Sequence, residues 1–351
     1  MNKKIDVIVV GQGLAGSWLS YYLLEAGMSV IVVDSGDLHS SSRIASGIMN
    51  PITGHKHVKT WMADTVLPFA GAAYQALGDR LGVSLCRQKE LIWLLDSAKA
   101  INDFSVLSDR VGYADFMGTV SAGPYCSGLG AFAGYGTVYA HCADMSIFLG
   151  AYQHWLSLQG LFVEAQLSCD ELQIQAGGVV WRDWVAQRVL FCEGYAAALS
   201  NRFFSYLPFV PAKGEVLLVE IAGLSLGNAI LKSGIFVLPT AEKNVFWVGS
   251  NYEHTFSDGL PSAATRHYLQ TELDKVVSLP YKVQKHWASI RPASRDRRPF
   301  VGIHPTYPQL GVFNGMGTKG VSLSPYFAHQ FATHLSQGTA LSPEVAISRI
   351  R

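Results

Sequence analysis

The chain opens on a β-branched apolar run, IDVIVV (residues 5–10), followed at once by GQGLAGSWLSYYLLEAG. The run reads as a buried strand. In the second segment Leu19, Leu23 and Ala26, with Tyr22 beside them, recur at helical spacing, and Gly27 supplies the stop. SVIVVD, ending at Asp34, is a second strand. Strand, glycine turn, helix and strand make a βαβ unit, whose right-handed crossover requires a parallel sheet.

Further along, the pattern predicts helices over about residues 64–79 and 144–159, the latter between a capping Asp144 and a stop at Gly160. LIWLL (91–95) and RVLFCEG (188–194) read as strands, the second running into a turn. Residues 118–138, rich in glycine and aromatics, predict turns and an irregular surface. EVLLVEI, GIFVLP and NVFWVGS, between residues 215 and 250, predict three strands of an antiparallel sheet. LGVFNGMGTKG then feeds a helix with Phe327, Phe331 and Leu335 on one face. No repeat, low-complexity tract or linker interrupts this order. The expected fold is α/β, a parallel Rossmann-like sheet interleaved with an α+β domain on an antiparallel sheet. Residues 1–62, 140–209 and 288–351 are assigned to the first domain, and 63–139 and 210–287 to the second.

Composition narrows the classes. At 351 residues the chain holds about two domains, and 15% charged residues against 49% hydrophobic exclude disorder on a large scale. A net charge of +1 gives no electrostatic footprint for nucleic acid or anionic lipid. Five cysteines without a CxxC pair fit a reduced, cytoplasmic protein. Lys3 and Lys4 before an apolar stretch imitate a secretory leader, but Asp6 interrupts it and the glycine pattern explains it better. No apolar, uncharged window of about 18 residues predicts a transmembrane helix.

Gly11, Gly13 and Gly16 stand in G-x-G-x-x-G spacing directly after a strand. The first glycine permits the tight turn, the second lets the backbone approach a pyrophosphate, and the third lets helix and strand pack closely. The helix N-terminus offers free amides and positive potential to the phosphates. Asp34, at the end of the second strand, can accept hydrogen bonds from the adenosine ribose and would repel a 2′-phosphate. The fingerprint alone does not separate NAD from FAD.

Five further segments follow in order: SSSRIASGIMNP (40–51), VLFCEGYAA (189–197), PAKGEVLLVE (211–220), SIRPASRDRRPFVG (289–302) and FNGMGTKGVSLSP (313–325). With the fingerprint they make the chain resemble the amino-acid-oxidase family of FAD-dependent oxidoreductases over nearly its whole length. The resemblance implies FAD contacts at Leu14, Ala15 and Ser35 beside the fingerprint, and at Arg43, Ala45, Ser46 and Gly47 in the small-residue loop. It adds Gly194 and the final loop of Gly315, Met316, Gly317, Thr318, Lys319 and Gly320. It also implies oxidation of the C–N bond of an amino acid or N-substituted amino acid by hydride transfer to flavin. Arg291 takes the place of the arginine that binds the substrate carboxylate, a task suited to a guanidinium fork. Lys319 matches a lysine that assists it in some branches, and Tyr252 is a candidate substrate contact.

Departures from the family pattern matter. Trp247 stands where some members carry the lysine that assists reaction with oxygen, so the electron acceptor, oxygen or another, stays open. No cysteine after Arg291 matches the one used for covalent attachment, and non-covalent FAD is expected. Glu193 replaces a commonly smaller residue. The GIMNP loop also resembles a branch that removes a carboxymethyl group from modified tRNA uridine, and a non-catalytic flavin protein or an NAD-dependent dehydrogenase are further alternatives. His55 and His57 form an HxH without a readable third ligand, so no metal is expected, and His329 and His334 are weaker still. Arg295, Arg297 and Arg298 around Asp296 read as a surface ion-pair cluster.

Overall fold

The computed structural model describes residues 3–37, 39–54 and 56–350. Its first sheet is built on four adjacent parallel strands, Leu310–Asn314, Trp184–Phe191, Lys3–Val10 and Val30–Asp34, with Phe162–Glu164 continuing the parallel edge. Val7, Ile8 and Val9 are wholly buried, because helices cover one face and a separate apolar cluster the other. Between Lys3–Val10 and Val30–Asp34 runs the Leu14–Glu25 helix. Leu19 and Leu23 are fully buried, whereas Ala26 caps the helix at the surface. Trp18, also fully buried, meets Tyr74 of the Ala63–Leu81 helix edge-on and stacks on Phe148 of Met145–Leu158. Each such ring stabilises the helical layer by roughly 1.5–3 kcal/mol, and together they hold the N-terminus of Leu14–Glu25 against the strand ends.

The second sheet is mainly antiparallel, in the order Lys282–Arg291, Ala212–Glu220, Val245–Gly249, Ile235–Pro239, Ala229–Ser233, Cys86–Leu95, Gly134–Ala143. One face packs on the Ala263–Val276 helix through Leu269 and Leu273, and the other looks towards the first sheet. The fold is the expected α/β arrangement of a parallel Rossmann-like sheet with an antiparallel one, and the chain passes between them several times.

Two local expectations are corrected. Residues 118–138 are irregular, as expected, only in the middle: strands enter at both ends, where Met117–Ala122 pairs with the ten-residue Gly134–Ala143. Gly123 and Gly128 turn the chain at positive φ, but the strand glycines serve packing, since a Cβ at Gly136 would lie 2.4 Å from the Phe104 ring, which presses on the strand from the Ala98–Ser108 helix. The 215–250 region holds four strands instead of three; the missed one, Ala229–Ser233, forms a tight hairpin with Ile235–Pro239 through Gly234 at positive φ. The capping Asp144 is as expected, its side chain accepting the Ile147 amide at 3.0 Å.

Candidate active site

The glycine turns converge at the C-terminal ends of the parallel strands, where open α/β sheets bind ligands. Gly11 has φ +100°, and a Cβ there would sit 2.6 Å from the Cys192 carbonyl; one on Gly16 would sit 1.7 Å from the Gly11 carbonyl. Gly13 caps the Leu14–Glu25 helix with no side-chain partner and no acid in the first turn, which leaves the helix end positive. Leu14 donates its amide to Ser42 Oγ at 3.0 Å, so the 40–47 loop, with Arg43 and Ala45, is tied beside Ala15 and the helix start. Asp34 accepts the amides of Gln12 (2.6 Å) and Gly36 (2.7 Å), which fixes the carboxylate beside the turn, with Ser35 exposed next to it.

Ser46 and Gly47 are clamped from the second sheet. The Ser46 carbonyl accepts the Cys142 thiol at 3.3 Å, the Gly47 carbonyl accepts the Ala143 amide at 3.0 Å, and Gly47 itself has φ +76°. From the other side Asn314 donates to the Gly194 carbonyl at 2.9 Å, and its own carbonyl oxygen Oδ1 accepts the Gly315 amide at 2.8 Å. Gly317 donates its amide to the Pro292 carbonyl, and Met316 bridges to Ala293, so the 315–320 loop is stitched to the segment carrying Arg291. Thr318 is exposed at the loop tip, and Gly320 opens the last long helix against Leu14.

Facing these loops is the second sheet. Strand register places Trp93, Lys232, Phe236 and Gly249 in one row across it, with Trp247 and Gly214 on the same face. Arg291 ends its strand on that face too, paired with Ala212. Its guanidinium lies over Gly214, where a Cβ would be 2.0 Å from Nη2, and donates to Ser250 Oγ (2.8 Å) and the Asn251 carbonyl (3.3 Å). The half-exposed Tyr252 ring is 5.5 Å away. Burial lowers the Arg291 pKa, the intrinsic basicity of guanidinium still leaving it charged. Lys319 donates to Thr60 Oγ1 at 3.3 Å, and burial pushes it down to about 8. Trp247 donates its indole N–H to the Ile44 carbonyl at 3.1 Å, holding the 40–47 loop against the sheet.

A family model described as FAD dependent oxidoreductase matches residues 6–333. The chain belongs to that family. It is 25% identical to a glycine oxidase of Pseudomonas putida, covering 96% of this chain and 95% of the relative. A glycine oxidase of Bacillus subtilis is 23% identical, covering 93% and 91%. Among solved structures, the iminodiacetate oxidase from Chelativorans sp. BNC1 superposes with a TM-score of 0.77 at 17% identity, covering 98% of both chains.

FAD is therefore the cofactor of this oxidoreductase, and its residues fit it. The positive helix end, the turns no Cβ could enter and the fixed Asp34 carboxylate suit a dinucleotide that lacks a 2′-phosphate. Glu193 turns aside, accepting the Asn201 side chain at 2.7 Å, and burial raises its pKa. Asp296 pairs with Arg349 at 2.8 Å instead of with Arg295, Arg297 or Arg298, because its turn faces the C-terminal segment; Arg298 stacks on Trp61. His55 lies outside the described residues, and among those described no group of three or more His, Cys, Asp or Glu could hold a metal. No helix among them is long and apolar enough to cross a membrane.

Sequence reading missed Ser42, Thr60, Asn251 and Lys232. The first three act through hydrogen bonds that only the fold creates. Lys232 had a signal, a lysine inside the apolar alternation AILKSGIF, which the strand assignment began too late to include.

Proposed function

We propose that this oxidoreductase oxidises the Cα–N bond of an amino acid or N-substituted amino acid. The observation that carries the reading is the Arg291 guanidinium: part-buried, cradled by Gly214, and without a carboxylate partner among the described residues. A cation held so far from water stays favourable when a ligand supplies the opposite charge. Two parallel bonds to the substrate carboxylate would fix the Cα against the 315–320 loop, with Lys319 adding a second donor and Tyr252 closing the open side.

Bound FAD supplies the hydride acceptor. The amine lone pair forms the C=N bond as the Cα–H bond breaks, the nitrogen loses its proton, and water hydrolyses the imine to the oxo acid and amine. The chain's part is to hold the carboxylate, orient the Cα–H bond and exclude water. No basic side chain is needed at the reacting carbon. The relatives named above support this reading: they are oxidases of glycine and of iminodiacetate.

The test is an anaerobic visible spectrum of the holoenzyme with glycine, sarcosine, proline and D-amino acids. Bleaching of the flavin band by at least one is expected. A yellow protein that no amino or N-substituted amino acid bleaches would overturn the reading.

A further inference from the structure

Resting on that reading, we infer that Lys232 is a second anion-binding station, which takes the distal acid of an amino diacid whose α-carboxylate Arg291 holds. Lys232 lies on the sheet face that looks at the cofactor loops, in one row with Trp93 and Phe236. Its Nζ sits 3.6 Å from the Trp93 ring centroid, shielded from water, and has no hydrogen-bond partner among the described residues. Lysine normally extends its ammonium to solvent when it can. Here it stays inside on an aromatic face, an attraction that is no substitute for a counter-ion.

Counting charge leads to a ligand. Arg291, Lys319 and Lys232 converge on one face, and none pairs with a carboxylate among the described residues. A simple amino acid brings one carboxylate, which Arg291 satisfies. Lys232 and Lys319, close enough for the charge of one to disfavour that of the other, remain without a counter-charge. A second acidic group on the substrate supplies it.

The sheet also sets the length. Arg291 is anchored over Ala212–Glu220 and at the end of Val245–Gly249, and Lys232 lies on Ala229–Ser233, two strands beyond Val245–Gly249 in the sheet. At about 4.8 Å per strand the two stations stand on the order of 10 Å apart. Between them the face is apolar, formed by Phe236 and Trp247. The matching substrate carries an amine and carboxylate at one end, a chain of methylenes, and an acid at the other.

The experiment uses holoenzyme and two series, N-(ω-carboxyalkyl)glycines of increasing length and uncharged N-alkylglycines of matched length. The expected kcat/KM ratio of acid to alkyl passes through a maximum of about tenfold or more at a spacer spanning roughly 10 Å. Lys232→Met should abolish that maximum, and Lys232→Arg should keep most of it. Independently of turnover, α,ω-dicarboxylates should perturb the flavin band most tightly near the same length. If N-alkylglycines bleach the flavin but a terminal acid gives no advantage at any length, the inference is wrong while the proposed function stands. If neither series nor any of the amino acids tested above bleaches it, the proposed function fails, and the dicarboxylate titration still decides: no length optimum overturns the second station as well.

Discussion

Two clusters of buried charge sit on opposite faces of one sheet, and they are built in opposite ways. On the face packed against the Ala263–Val276 helix, Lys213 lies 3.1 Å and His286 2.7 Å from the two oxygens of the fully buried Glu215, which also accepts the Ser262 amide at 2.9 Å. On the face towards the cofactor loops, Arg291, Lys319 and Lys232 have polar or aromatic neighbours but no carboxylate among the described residues. Alternation along the Ala212–Glu220 strand separates them, with Lys213 and Glu215 pointing one way and Gly214, the cradle of Arg291, the other. The paired cluster has its counter-charge within the chain; the unpaired one is where we propose that an anionic ligand supplies it. Asn251 joins the two, accepting the Glu215 amide on its side chain at 2.7 Å and the Arg291 guanidinium on its carbonyl.

The sharpest way to break this contrast is to unpair the paired face. Glu215→Ala leaves Lys213 and His286 buried without their counter-charge, and loss of one partner of a buried ion pair costs about 3–5 kcal/mol. The urea midpoint should fall accordingly. An unchanged midpoint would mean that the cluster is not structural, and the distinction between the faces would collapse.

On the other face the same kind of deletion should act on substrate and spare the fold. Arg291→Leu removes charge-assisted hydrogen bonds worth roughly 1.5–3 kcal/mol, so kcat/KM should fall about ten- to a hundredfold, mostly through KM. FAD content and the urea midpoint should hold, since no carboxylate among the described residues loses a partner. Wild-type kinetics in this variant would remove Arg291 from the substrate site.

How far the sequence carried this contrast depends on the range of the forces involved. The parallel sheet, its glycine turn and Asp34 were legible, because hydrophobic period and glycine spacing are local. Arg291 and Lys319 were legible as motif positions, but that neither pairs with a carboxylate was not, since pairing is set between segments far apart in the chain. Lys232 escaped for the same reason: its aromatic neighbour, Trp93, lies 139 positions earlier, brought alongside by a parallel strand pair that no local pattern encodes. The Gly134–Ala143 strand is not legible because Gly134 and Gly136 answer to Ile101 and Phe104 on a packed helix, whereas the sequence rule for glycine knows only turns.

The smallest predicted effect distinguishes the faces by pH. Burial is the largest influence on His286 and, together with Arg266 and Lys213, outweighs the raising effect of Glu215, so its pKa lies below 6.5. The unfolded chain therefore takes up this proton first as pH falls below about 6.5, and stability contributed there is lost progressively until the folded pKa is passed. Lys232, held at about 7 by burial and by Lys319, and Lys319, at about 8, lie below their unfolded value of 10.5. In the region from 7 to 10.5 the unfolded chain binds more protons at these sites, so the ligand-free protein should gain stability as pH rises through it. An anionic ligand favours the charged lysines, so the stabilisation it brings should be larger at pH 7 than at pH 9, where the lysines must first regain protons. Thermal melts with and without a dicarboxylate across that range would show the ligand's increment shrinking upwards, while the decline on the acid side persists in both. A ligand increment indifferent to pH would deny the lysines a part in binding and leave Arg291, whose charge does not titrate in this range, as the sole anchor.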